Sequence, residues 1–208
     1  MSTLFDMGDI PEKSTGDNEW YTPAYLIEAA RKVMGSIYMD PASCEQANQT
    51  VCAQRIYTKE DDGLSKPWAG PLWLNPPYGL IPVRPSSRVP NWQGKSAMLI
   101  WTAKLIEEHK CGNVAQAILL TKADPKEKWF QLLWGYPICF MINRVYFNRP
   151  GKESEKHQFG TALAYFGQNE KLFVDVFTEF GPVVTPDGVH RRPQPLPQPT
   201  LWDREDLA

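Results

Sequence analysis

The chain has 208 residues, 42% of them apolar, and a formal net charge of −2. That length supports one domain with a sizeable core. The near-neutral balance excludes a protein that coats nucleic acid by charge alone, but it leaves room for a DNA enzyme with one basic face.

No apolar run approaches the roughly 20 residues of a membrane span, and no basic segment leads into an apolar run at the start of the chain. The four cysteines share no CxxC spacing and the three histidines lie far apart. A cytoplasmic protein with reduced thiols and no metal site is therefore expected.

Residues 1–16 are mixed polar with Gly8, Pro11 and Gly16, and are expected to form a loose arm. Trp20-Tyr21-Thr22-Pro23 follows, with Thr22 expected as N-cap and Pro23 at the first helical position. Tyr25, Leu26, Ala29, Ala30 and Val33 recur at helical spacing, and Gly35 ends the helix. This stretch reads equally as a plain capped helix or as one whose preceding loop covers a cofactor.

Residues 36–40 read as a short strand ending in Asp40, and Pro41-Ala42-Ser43 turns out of it. An acid at a strand's carboxyl end, followed by small residues, lets a polar ligand approach the backbone. Residues 44–51 form a short helix or an irregular turn, and 54–58 a second strand. Glu60, Asp61 and Asp62 then crowd a polar turn. It is either a solvated loop, or one acid accepts hydrogen bonds from a ribose or an adenine amine.

Leu72-Trp73-Leu74-Asn75-Pro76-Pro77-Tyr78-Gly79 carries the most information. An apolar run reads as a buried strand that stops where proline removes ladder donors and fixes φ. Asn75 and Tyr78 then fall at its carboxyl end, the ligand side of an open α/β sheet. The Asn75 side-chain oxygen and the Pro76 carbonyl can each accept one N–H from an exocyclic amine, which directs the nitrogen lone pair outward. Tyr78 offers a ring for a flipped base, and Pro76 and Pro77 hold the acceptors in place.

Residues 79–96 form a long proline-rich loop leaving that stretch, and its Arg84, Arg88 and Lys95 either meet phosphates or are simply solvated. A helix is expected over 96–110, a buried strand over 115–121 and a helix from Pro125 to about Trp134. A strand follows over 137–144, continued or hairpinned through Phe147, then a loop over 148–160 and a strand over 161–167. Residues 171–177 suit helix or strand, and 180–184 a last strand. Alternating Pro193, Pro195, Pro197 and Pro199 favour an extended tail. The expected layout is one domain over 17–188, an arm over 1–16 and a proline-rich tail over 189–208, with an α/β, mostly parallel sheet that finishes antiparallel.

Asn75-Pro76-Pro77-Tyr78 resembles motif IV of amino methyltransferases, shared by N6-adenine DNA enzymes and some protein-glutamine enzymes. Trp20-Tyr21-Thr22-Pro23 resembles their motif X, Asp40-Pro41-Ala42-Ser43 their motif I, and Asp62-Gly63-Leu64 with Trp68 sits where motif III falls. Together with Trp129-Phe130, 144–147 and 161–167, this order resembles the compact phage-type DNA N-6-adenine methyltransferase (Dam) family over roughly residues 18–168.

The resemblance implies a Rossmann-like fold dependent on S-adenosylmethionine, with double-stranded DNA as partner. It implies direct methyl transfer to the N6 amine of a flipped adenine by Asn75, Pro76, Pro77 and Tyr78. It also implies a cofactor pocket of Trp20, Tyr21, Thr22, Asp40, Pro41, Ala42, Ser43, Asp61, Asp62 and Asn75. Phosphate contacts are expected from Arg84, Arg88, Lys95, Lys122, Lys126 and Arg144. The Gly-x-Gly that usually closes motif I is replaced by Cys44-Glu45-Gln46-Ala47, so the backbone cannot follow the usual path around the cofactor. An RNA or protein-glutamine methyltransferase, and a non-enzymatic DNA-binding phage accessory protein, remain alternatives.

Overall fold

The computed structural model describes residues 20–80, 96–149, 152–156 and 159–191. Arg84, Arg88, Lys95, the arm and the alternating prolines lie outside these residues.

In chain order the elements are α1 (Ala24–Met34), β1 (Met39–Asp40), α2 (Glu45–Val51), β2 (Arg55–Ile56), a 3-10 turn (Gly63–Ser65), β3 (Pro71–Leu74) and α3 (Ala97–Lys110). They continue with β4 (Gln116–Lys122), α4 (Lys128–Gln131), β5 (Ile138–Phe140), β6 (Tyr146–Arg149) and β7 (Lys152–Lys156). The last are β8 (Thr161–Phe166), α5 (Glu170–Phe177), β9 (Val183–Thr185) and β10 (Gly188–His190).

Eight strands form one mixed sheet in the order β10-β9-β5-β8-β4-β3-β1-β2, and β6 and β7 form a separate hairpin. The sequence suggested a mostly parallel sheet. Parallel pairing holds only for β2-β1-β3-β4, and every pairing from β4 through β8, β5, β9 and β10 is antiparallel. The cause is a detour: after β5 the chain runs through the hairpin and returns as β8, inserted between β4 and β5. Six of the eight strands still point the same way, because only β8 and β9 are reversed.

Side chains alternate across the sheet and divide the core in two. Leu72, Leu74, Ala117 and Leu119 pack under α3 and α4 with Trp101, Trp129 and Phe130. Trp73, Ile118 and Leu120 face α1 and α5 with Leu26, Ile27, Phe173 and Phe177. α1 ends as expected, at Gly35 with φ 76°.

Local signals misled in four places. Thr22 does not cap α1: the N-cap position is Pro23, with no side-chain cap, and Thr22 is buried. The expected helix over 125–134 shrinks to α4, with turns on either side. The strand over 137–144 is only Ile138–Phe140. The loop expected over 148–160 contains β7, which pairs with β6.

A candidate active site at the carboxyl ends of β1 and β3

Chain order reverses between β1 and β3: β2 lies on one side of β1, while β3 and β4 lie on the other. Outside the carboxyl ends at such a reversal, no crossover fills the crevice, and open sheets bind ligands there. Asp40 ends β1, and Asn75 follows the last residue of β3.

Asn75 is half-buried, and its Nδ2 donates to the Trp20 carbonyl at 2.9 Å and to Thr22 Oγ1 at 3.5 Å. The Trp20 carbonyl can only accept, so it fixes which end of the amide faces it. Oδ1 is thereby turned the other way, as an acceptor. Thr22 thus turns its hydroxyl toward Asn75, and the N-cap position of α1 falls on Pro23. Pro76 is buried, Pro77 exposed and Tyr78 half-buried. Burial pushes the Tyr78 phenol above its ordinary range, so it keeps its proton at neutral pH.

The segment holding Asn75 is itself anchored. Tyr21 exchanges two backbone hydrogen bonds with Asn148 of β6, at 2.9 and 3.0 Å. The Trp20 ring meets Phe147 edge-on at 6.0 Å. Cys44 Sγ lies 3.5 Å from the Tyr21 hydroxyl and accepts from the Ala47 N–H, capping α2. The residues that replace the usual glycines thus start a helix directly after the Pro41–Ser43 turn.

Asp40 is 3% exposed. Burial raises its carboxyl to about 7, against opposing hydrogen bonds from the Ala42 backbone and the Ser43 side chain. A carboxylate so placed gains most from a ligand that brings hydroxyl or ammonium donors. The acidic turn comes close through Gly63: a Cβ there would sit 2.0 Å from the Pro41 carbonyl oxygen. Asp62 supports that approach with a left-handed φ of 56°. Asp61 is exposed and accepts from Thr58 N and Oγ1 at 2.8 and 2.9 Å, which holds its carboxyl below the usual range.

Lys122 ends β4. Its Nζ lies 4.7 Å from the centre of the Tyr78 ring and 4.0 Å from that of Phe159. Burial lowers its pKa, opposed by Asp124 and Glu127. Phe159 is half exposed, brought here by a bond from Ala123 N to Gly160 O. It drew no notice in the sequence, since an aromatic in a polar stretch carries no periodic signal. Lys126 and Arg144 are exposed, in segments that leave the same sheet edge after β4 and β5.

Among the described residues, no cluster of His, Cys, Asp or Glu could hold a metal ion, and no helix is long and apolar enough to cross a membrane. A family model described as DNA N-6-adenine-methyltransferase (Dam) matches residues 11–173. No curated protein matches the chain.

Proposed function

Because the chain belongs to the DNA N-6-adenine-methyltransferase (Dam) family, which implies DNA adenine-N6 methylation, we propose that it transfers a methyl group from S-adenosylmethionine directly to N6 of an adenine flipped out of duplex DNA. The observation that carries this mechanism is the Asn75 amide, whose NH2 is committed to Trp20 and Thr22 while its oxygen is turned outward. Asn75 Oδ1 and the Pro76 carbonyl accept the two N6 hydrogens and turn the nitrogen lone pair toward the methyl donor. Tyr78 carries the base on its ring, with Phe159 as the second wall. The N–CH3 bond would form as the donor's S–CH3 bond breaks, leaving S-adenosylhomocysteine; the amine would release one proton to water, and no covalent enzyme intermediate would form.

S-adenosylmethionine, when bound, supplies an electrophilic methyl group. Asp40 would hold the polar part of that cofactor, and its place at the end of β1, beside the reversal of strand order, fits this role. Trp20, Tyr21, Thr22, Pro41, Ala42, Ser43 and the acidic turn of Asp61 and Asp62 would complete the wall. The reversal of strand order between β1 and β3, and the reversed β8 inside a largely unidirectional sheet, support a Rossmann-like methyltransferase fold. Lys126 and Arg144, on segments leaving the sheet edge of the site, would meet phosphates.

Asn75→Ala tests the mechanism. Methyl incorporation into unmethylated duplex DNA should fall by about 100-fold or more, the scale of losing a preorganised polar group at the reacting centre. Cofactor affinity in calorimetry should stay within an order of magnitude. Methylation at the wild-type rate would remove Asn75 from the chemistry.

A further inference from the structure

Lys122 does something in the free protein that a phosphate contact does not require. Its ammonium lies over the faces of both Tyr78 and Phe159. The face of Tyr78 is what a stacked base needs. Among the described residues no hydrogen-bond acceptor reaches the Lys122 ammonium; two rings, and the charges of Asp124 and Glu127, are what surround it. A cation held by ring faces is retained without hydrogen bonds and released at modest cost.

The sheet fixes where the Lys122 stem starts. Lys122 pairs with Thr161 of β8 in register, and Phe159 lies two residues before that partner. The next bond, Ala123 N to Gly160 O at 2.8 Å, fixes the Phe159 segment against the end of β4. The rings and the ammonium are therefore brought together by the sheet.

We propose that Lys122 is a positioning residue that fills the base slot when it is empty: its ammonium keeps Tyr78 and Phe159 apart and is exchanged for the target base. This rests on the proposed function and adds a cost of entry to it. A base that stacks on these ring faces displaces a cation from them. The displaced ammonium regains water or a neighbouring phosphate, so the exchange favours a nucleotide over a free base.

The test compares binding of a short fluorescent oligodeoxyadenylate with that of an abasic oligonucleotide of the same length. The full chain is used, with saturating S-adenosylhomocysteine to keep adenine out of the cofactor pocket. The ratio of the two affinities isolates the base from the phosphates. Lys122→Met keeps the stem and removes the charge, and should raise the preference for the adenine oligonucleotide about fivefold. Lys122→Arg should leave the preference near wild type. Tyr78→Ala should abolish both the preference and, in the double variant, the gain from Lys122→Met.

Equal weakening of both oligonucleotides in Lys122→Met would make Lys122 a plain phosphate anchor and overturn the proposal. An unchanged ratio would overturn it too. No base preference in a wild-type protein that methylates adenine in DNA would overturn the exchange alone. No preference together with no methylation would overturn the proposed function and the exchange with it.

Discussion

The two halves of the sheet are built differently. In the parallel half, β1, β2 and β3 span two, two and four residues. β1 ends on Asp40, β3 gives way at once to Asn75, and the longer β4 ends on Lys122. In the antiparallel half, β8 is buried along all six residues, and its Tyr165 stacks on Phe173 at 5.2 Å, which in turn stacks on Phe177 at 4.4 Å. β1 and β3 bring polar ends to one edge; β8 and the α5 rings packed on it supply burial away from that edge. The polar ends at the site edge and the aromatic stack between β8 and α5 are therefore distinct regions, and substitutions should separate their effects.

The largest effect should come from Phe173→Ala, which removes the middle ring of that stack from a fully buried site. A loss of about 3–5 kcal/mol is expected from the missing packing and the cavity left behind. It should appear as a lower urea midpoint with an unchanged slope, while methyl transfer per folded molecule stays near wild type. A large loss of turnover in fully folded protein would break the separation.

Gly63→Ala should act the other way. Its Cβ would collide with the Pro41 carbonyl, and backbone must move. Overpacking costs roughly 1–3 kcal/mol, expressed here at the Asp40 turn. Cofactor affinity in calorimetry should fall about tenfold; wild-type affinity would place the cofactor elsewhere.

Tyr78→Ala should lower methyl transfer by roughly 1–3 kcal/mol, the value of stacking one base on a ring. Tyr78→Phe should cost much less, since stacking needs the ring and not the hydroxyl. Equal losses in the two variants would argue against stacking.

The smallest effect sharpens the assignment of Asp40. Its folded pKa, about 7, lies above its ordinary value of 3.8. The folded protein therefore holds a proton that the unfolded chain releases between these values, and stability falls as pH rises across that window. Asp40→Asn carries no such penalty. Its melting temperature should exceed that of wild type at pH 8, with the gap closing toward pH 4. Its cofactor affinity should be reduced. A gap independent of pH would mean that Asp40 ionises freely in the folded state.

Much of the parallel half was legible because its signals are local. Proline after Asn75 ends a strand wherever it stands, and Gly35 ends α1 for the same kind of reason. The antiparallel half was legible as elements but not as a sheet. Nothing in residues 161–166 says that this strand inserts between two earlier ones; that is decided by packing across the chain. β7 was missed because Lys-Glu-Ser-Glu-Lys has no apolar alternation. Thr22 was misread because a hydroxyl before a proline is a good local cap, and only the folded chain brings the Asn75 amide to it. The same limit hid Phe159, whose meaning depends on Lys122 at the end of β4 and Tyr78 in the turn after β3 arriving beside it.

The most direct test of the account is the product of the reaction. Incubate the protein with S-adenosylmethionine and unmethylated duplex DNA, digest to nucleosides, and quantify methylated bases by mass spectrometry. N6-methyldeoxyadenosine is expected, and is absent when the cofactor is omitted. N4-methylcytosine alone, or no methylated base from a protein that binds the cofactor, would contradict the proposed function.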